Sequence, residues 1–248
     1  MMTDMTAAIG MMKEMKLGNM AAKLGEMTSD PNFGLRKSAD VINELVSFEY
    51  DTRQSRRTNR LLRKAQLKYP AACLDDSIDD PRRKLDGKTI RLLAECGWID
   101  DRKNLIITGK SGTGKTYIMC ALAVSAIQKG KTVLYVKASM MINELSEYQL
   151  TGNYNGYLKK YTDPDLLVID DFGLMSLDIS KALHLFEVLD AREGSGSIAI
   201  IAQIPVASWY EIFRNSVYAD ACLSRMANAS YRLEFDGSDR RQEKKNKG

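Results

Sequence analysis

The sequence predicts an α/β fold in which a parallel five-stranded sheet lies between helices, preceded by a small all-α domain. Three observations point there. Short apolar runs at Leu105–Thr108, Val133–Val136, Leu166–Ile169, Ile198–Ile201 and Tyr231–Phe235 are separated by helix-length stretches, the pattern of strands covered on both faces. Roughly the first seventy residues instead space their apolar side chains by three and four. A chain of 248 residues with 44% hydrophobic and 27% charged residues is an ordinary globular protein, long enough for one full core with an appendage.

In the N-terminal part, Met11, Met12, Met15 and Leu17, then Met20, Ala21 and Leu24, suit a helix face that is core or docks a partner. Asp30-Pro31-Asn32 with Gly34 breaks the pattern. A second helix is expected from Ser38 to about Lys68, ended by Tyr69-Pro70. Its later half carries Arg53, Arg57, Arg60, Lys64 and Lys68 at steps of three or four, with no acidic residue between them. This row of roughly 20 Å could follow a phosphate backbone, and its bland alternative is a solvated face. The acidic, polar segment Leu74–Arg83 closes on Asp80-Pro81 and links to the second part. The predicted domains are therefore 1–72 and 73–248. A helix is expected from about Lys84 to Cys96, and the basic tail Arg240–Lys247 is expected to be a frayed end.

The chemistry is concentrated in the second part. Gly109-Lys110-Ser111-Gly112-Thr113-Gly114-Lys115-Thr116 fits G-x-x-x-x-G-K-[ST], directly after a strand and before a helical run. The glycines let backbone N–H groups converge on phosphates, Lys115 reaches the β and γ phosphates, and the Thr116 hydroxyl ligates magnesium. The expected ligand is a nucleoside triphosphate, ATP, with Mg2+. Leu166–Ile169 runs into Asp170 and Asp171, the order of a Walker B element. Asp170 is expected to hold magnesium through water, and Asp171 to orient or deprotonate the attacking water. Gln203, after the fourth apolar run, either senses the γ-phosphate or caps the strand.

The four cysteines, Cys73, Cys96, Cys120 and Cys222, show no C-x-x-C spacing and read as reduced, buried thiols. The one histidine, His184, cannot complete a zinc site. No apolar stretch reaches the ~20 residues of a membrane span, so a cytoplasmic protein without a membrane partner is expected. A net charge of +4 permits a nucleic-acid partner without arguing for one.

The order P-loop, extra helical stretch, Leu-Val-Ile-Asp-Asp-Phe-Gly, Gln203-Ile204-Pro205-Val206 and Ala219–Arg225 resembles the AAA+ ATPases of the IstB type. These are helpers of insertion-sequence transposition, related to DnaC-type helicase loaders. Lys16–Ala21, the Arg-rich helix, Trp98 and Arg192-Glu193 extend the resemblance over nearly the whole chain. It implies an AAA+ core without a C-terminal lid, in a bacterial cytoplasm, hydrolysing ATP slowly and under stimulation by DNA or oligomerisation. It implies that Gln203 is the sensor and that Arg225 is an arginine finger acting on a neighbour's ATP. By itself Arg225 would read as a surface ion-pair residue. It implies that Ser139–Thr162 lines a DNA path, where Lys159 and Lys160 supply cations and Tyr154 and Tyr157 stacking surfaces; a solvated face is the competing reading. The implied partners are double-stranded DNA, a cognate transposase and further copies of the chain. The alternative is a DnaC-like replicative helicase loader. A small-molecule kinase is disfavoured by the paired acids, the extra helix and Arg225.

Overall fold

The structure is a computed structural model that describes residues 5–74 and 86–236; most of the acidic link and the whole basic tail lie outside them. Contacts divide the chain into two compact units, residues 1–60 and 61–248.

In the first unit, α1 (Thr6–Glu14) and α2 (Gly18–Thr28) form a pair, followed by a 3-10 turn (Phe33–Leu35) and α3 (Ser38–Ala65), which runs on into the second unit. The methionine stripe is split, because Lys16 takes a left-handed φ of 61° between the two helices. Its α2 half is inward: Leu24 and Met27 bury with Leu45 of α3, and Met12, Met20 and Ile9 pack around them. Met11 and Met15 stay exposed. Glu49 is buried but accepts from the Met20 N–H at 2.7 Å and from Arg53 Nε at 2.6 Å. Burial pushes its carboxyl upward, and these bonds outweigh that, leaving it below the usual carboxylate range.

Helix α3 ends earlier than its sequence suggests. Gln66 adopts a left-handed φ of 53°, so Tyr69-Pro70 follows a helix already finished. Leu61 and Ala65 in its last turns, and Leu67 and Ala72 beyond it, are all buried in the core of the second unit. Lys68 consequently lies outside the helix that carries the other cations.

The second unit is a five-stranded parallel sheet in the order β2-β3-β4-β1-β5. Its strands are β1 (Asn104–Gly109), β2 (Val133–Lys137), β3 (Leu166–Phe172), β4 (Ser197–Ala202) and β5 (Ser230–Phe235). Alternate residues feed two cores, as the period of a strand requires. Leu105, Ile107, Tyr135, Val168 and Ala199 face α4 (Gly87–Ala94), α5 (Gly97–Asp100) and α6 (Lys115–Gln128). Ile106, Val136, Leu167, Ile169 and Ile200 face α7 (Ala138–Thr151), α9 (Ile179–Arg192) and α10 (Ser216–Ala227). Helix α6 is apolar nearly all round and therefore buried rather than amphipathic. Asp86 caps α4 by accepting from the Thr89 N–H.

Between β2 and β3 stand α7 and α8 (Tyr154–Thr162), which occupy the expected extra helical stretch. Arg192 is almost fully buried beneath them and donates to the carbonyls of Tyr161, Thr162 and Ser197 at 2.9, 3.1 and 2.7 Å. Burial lowers its guanidinium pKa to about 10, so it still enters the core charged at neutral pH. Among the described residues no helix is long and apolar enough to cross a membrane, and no three His, Cys, Asp or Glu side chains are grouped to hold a metal. All four cysteines are free; Cys73 is exposed, contrary to the buried thiol expected, because it lies in the irregular stretch after α3.

Candidate functional site

The carboxyl ends of β1, β4 and β3 are neighbours in the sheet, and the residues that follow them form the site. This is where open parallel sheets bind ligands. The loop after β1 turns on Gly109, Gly112 and Gly114, with φ of 139°, 82° and 95°, values that a side chain would resist. Thr113 Oγ1 pins the turn by donating to the Lys110 carbonyl at 2.9 Å. Helix α6 starts at Lys115, so its unsatisfied first-turn N–H groups open onto the loop. Lys115 is 6% exposed, and its ammonium donates to the Gly109 and Lys110 carbonyls at 2.5 and 2.7 Å. Burial lowers its pKa, opposed by the charges of Asp170 and Asp171.

Strand β3 continues through both acids rather than stopping before them. Asp170 is 2% exposed. Its Oδ2 accepts from Thr116 Oγ1 at 2.9 Å and from the Tyr135 hydroxyl at 2.6 Å, while Oδ1 accepts from the Asp171 N–H at 2.7 Å. Burial, and after it the bond to Asp170, pushes the Tyr135 phenol well above its ordinary range, so it remains a donor. Asp171 has a left-handed φ of 58°, and the β3–β4 register shifts between Ile169 and Phe172. The bulge separates two carboxylates that are adjacent in sequence. Asp171 Oδ2 pairs with Lys137 Nζ at 2.9 Å, which raises the lysine's pKa.

A hydroxyl oxygen and a carboxylate 2.9 Å apart at the head of a phosphate loop are a hard-oxygen donor set, so Thr116 and Asp170 fit magnesium. Sequence reading missed Tyr135 and Lys137. Both lie on β2, 33 or more residues from the acids, and their register with β3 (Lys137 opposite Asp170) leaves no local signal.

The other expected residues are dispersed. Gln203 is exposed and directly follows β4, beside β3 and its acids. Arg225 sits in α10, and its backbone carbonyl accepts from the Asn104 side chain at the start of β1, the end of the strand away from the loop. Its guanidinium pairs with Asp190 at 2.7 Å and Glu193 at 3.2 Å and lies over the Phe186 ring. The structure therefore does not bring Arg225 to its own chain's loop. Arg53, Arg57, Arg60 and Lys64 are all exposed on α3, and Arg53 also bonds Glu49 and the Lys16 carbonyl. On α8, Lys159 is exposed, but Lys160 pairs with Glu144. The two tyrosines expected to offer stacking surfaces are spent internally. Tyr157 stacks on Tyr148, and Tyr154 bonds to His184 and Glu187.

The model of the IstB-like ATP binding protein family matches residues 10–248. The chain belongs to that family. This IstB-like protein is 34% identical to an insertion-sequence ATP-binding protein of Pseudomonas fluorescens over 83% of this chain and 88% of the relative. It is 30% identical to one of Sinorhizobium fredii over 94% of each. In fold it is similar to the DnaC helicase loader, with a TM-score of 0.52 and 19% identity over 60% of this chain and 87% of that one. It is also similar to DnaI, with a TM-score of 0.55 and 18% identity over 72% and 94%. The parallel sheet between helices is accordingly an AAA+-like P-loop core, as the sequence predicts.

Proposed function

We propose that this IstB-like protein is an ATP-dependent DNA-binding regulator of transposition. With Mg-ATP bound it oligomerises on double-stranded DNA and recruits or stimulates a transposase; hydrolysis resets it. The observation that carries the reading is the loop of Gly109 to Thr116 meeting Asp170 through the Thr116 hydroxyl, in a chain whose relatives are insertion-sequence proteins.

The roles follow from position. Backbone N–H groups of the loop and α6 cradle the phosphates, and Lys115 transfers its ammonium from the loop carbonyls to the β and γ oxygens. Thr116 and Asp170 would hold magnesium, which would supply positive charge to stabilise the phosphates. Asp171 takes the proton of the attacking water as the bond between the β-phosphate bridge and the γ-phosphorus breaks, giving ADP and phosphate. To do so it must part from Lys137. Gln203 orients the water or the γ-phosphate. Arg225 serves a neighbouring copy's nucleotide and must first leave Asp190 and Glu193. Arg57, Arg60 and Lys64 face DNA phosphates, with Lys159 as a further cation on α8.

Gel filtration and electron microscopy with duplex DNA and a non-hydrolysable ATP analogue test the reading. Assemblies that need both ligands support it; monomers alone overturn it. A second reading, a replicative helicase loader, is favoured by the fold likeness to DnaC and DnaI. A pull-down offering helicase and transposase separately discriminates the two.

A further inference from the structure

We infer that Tyr135 is a positioning residue of the magnesium site, fixing Asp170 through its hydroxyl before nucleotide arrives. The inference rests on the ATP reading above. The phenol is 7% exposed and packed in the core against α6, so its hydroxyl cannot swing away. It donates to Asp170 Oδ2 at 2.6 Å, within the range of a charge-assisted O–H to carboxylate bond. The other oxygen, Oδ1, is held at 2.7 Å by the Asp171 N–H. Each carboxylate oxygen thus has one donor that magnesium does not claim. The remaining donor, Thr116 Oγ1, differs, because its lone pairs are the ones that ligate the metal.

Without the Tyr135 hydroxyl, the Oδ2 side of Asp170 would depend on Thr116 alone. The acid could then rotate, and some of the metal's binding free energy would be spent restoring it. Groups that orient ligands in this way change metal affinity by about 10- to 100-fold when removed. Tyr135 touches neither phosphate nor metal, so binding of nucleotide without magnesium should not depend on it. Its effect is confined to the metal step.

The experiment follows a fluorescent ATP analogue binding to the full chain, first in EDTA and then along a MgCl2 titration, for wild type, Tyr135→Phe, Tyr135→Leu and Asp170→Asn. The inference expects Tyr135→Phe to bind the analogue in EDTA as wild type does, which also shows that the variant is folded. It expects a magnesium midpoint about tenfold higher, shared by Tyr135→Leu and exceeded by Asp170→Asn. A midpoint for Tyr135→Phe within twofold of wild type, with only Tyr135→Leu impaired, overturns it and leaves Tyr135 as ring packing. If wild type binds the analogue in neither condition, the ATP reading fails with it, a result distinct from an unmoved midpoint.

Discussion

Replacing Gly109 with alanine should destabilise the α/β unit even in the absence of nucleotide. A Cβ at this position would stand 2.2 Å from the Phe235 carbonyl oxygen and 3.0 Å from both its carbonyl carbon and its Cβ. Phe235 is the register partner of Gly109 in the β1–β5 ladder and is 2% exposed, so it has little room to withdraw. Relief needs β5 to shift by about 1 Å, an overpacking cost of about 1–3 kcal/mol. The φ of 139° adds strain of about 1–3 kcal/mol for any residue with a side chain. A loss of about 2–5 kcal/mol is expected after partial relaxation. Gly152 is the control: its φ is 80° but nothing lies within 4 Å of an added Cβ, so Gly152→Ala should cost only the left-handed strain of about 1–2 kcal/mol. Urea unfolding followed by tryptophan fluorescence measures both, since Trp98 and Trp209 are buried in this unit. If Gly109→Ala costs no more than Gly152→Ala, the close approach of β5 does not constrain the loop and the reasoning fails.

Three further outcomes are expected. His184 is fully buried, and its Nε2 has no hydrogen-bond partner among the described residues; burial lowers its pKa against the opposing pull of Glu187 and Asp178. The unfolded chain therefore binds this proton more readily. Stability should be intact above the ordinary value of 6.5 and decline below it by at most about 1.4 kcal/mol per pH unit, a slope that His184→Gln should flatten in melts between about pH 7.5 and 5.5. Arg225→Ala should lower DNA-stimulated ATP turnover by about a thousandfold while changing stability by less than about 1 kcal/mol, because its pairs are partly exposed. Turnover within threefold of wild type would reduce Arg225 to an ion-pair residue. Alanine at Arg57, Arg60 and Lys64 together should reduce the salt slope of DNA binding by about 3, and an unchanged slope would remove α3 from the interface.

The parts of the fold that were legible are those in which local pattern and burial agree. Leu105 to Ile107 and Leu166 to Ile169 are buried on both faces, so their uninterrupted apolar runs could be read as parallel strands. The phosphate loop was legible because its glycines and Lys115 are consecutive. The end of α3 was not, since Leu67 and Ala72 turn inward to a core whose presence no nearby residue announces. Tyr154 and Tyr157 misled for a related reason. Aromatic side chains in a polar helix look available for stacking, yet Tyr148 on the preceding helix and His184, thirty residues further along the chain, already engage them.

The two acids show what register adds to a motif. In sequence Asp170 and Asp171 are an undifferentiated pair, and their separate roles rest on order alone. In the sheet, β2 carries Tyr135 to one and Lys137 to the other, two residues apart and so on the same face of the strand. A neutral hydroxyl orients the Asp170 carboxylate, whereas a cation occupies Asp171 Oδ2. Strand β2 ends at Lys137 and α7 begins at the next residue. Any force on the α7–α8 pair is therefore applied one residue from the contact that restrains Asp171, whereas Tyr135 is anchored in the core behind it.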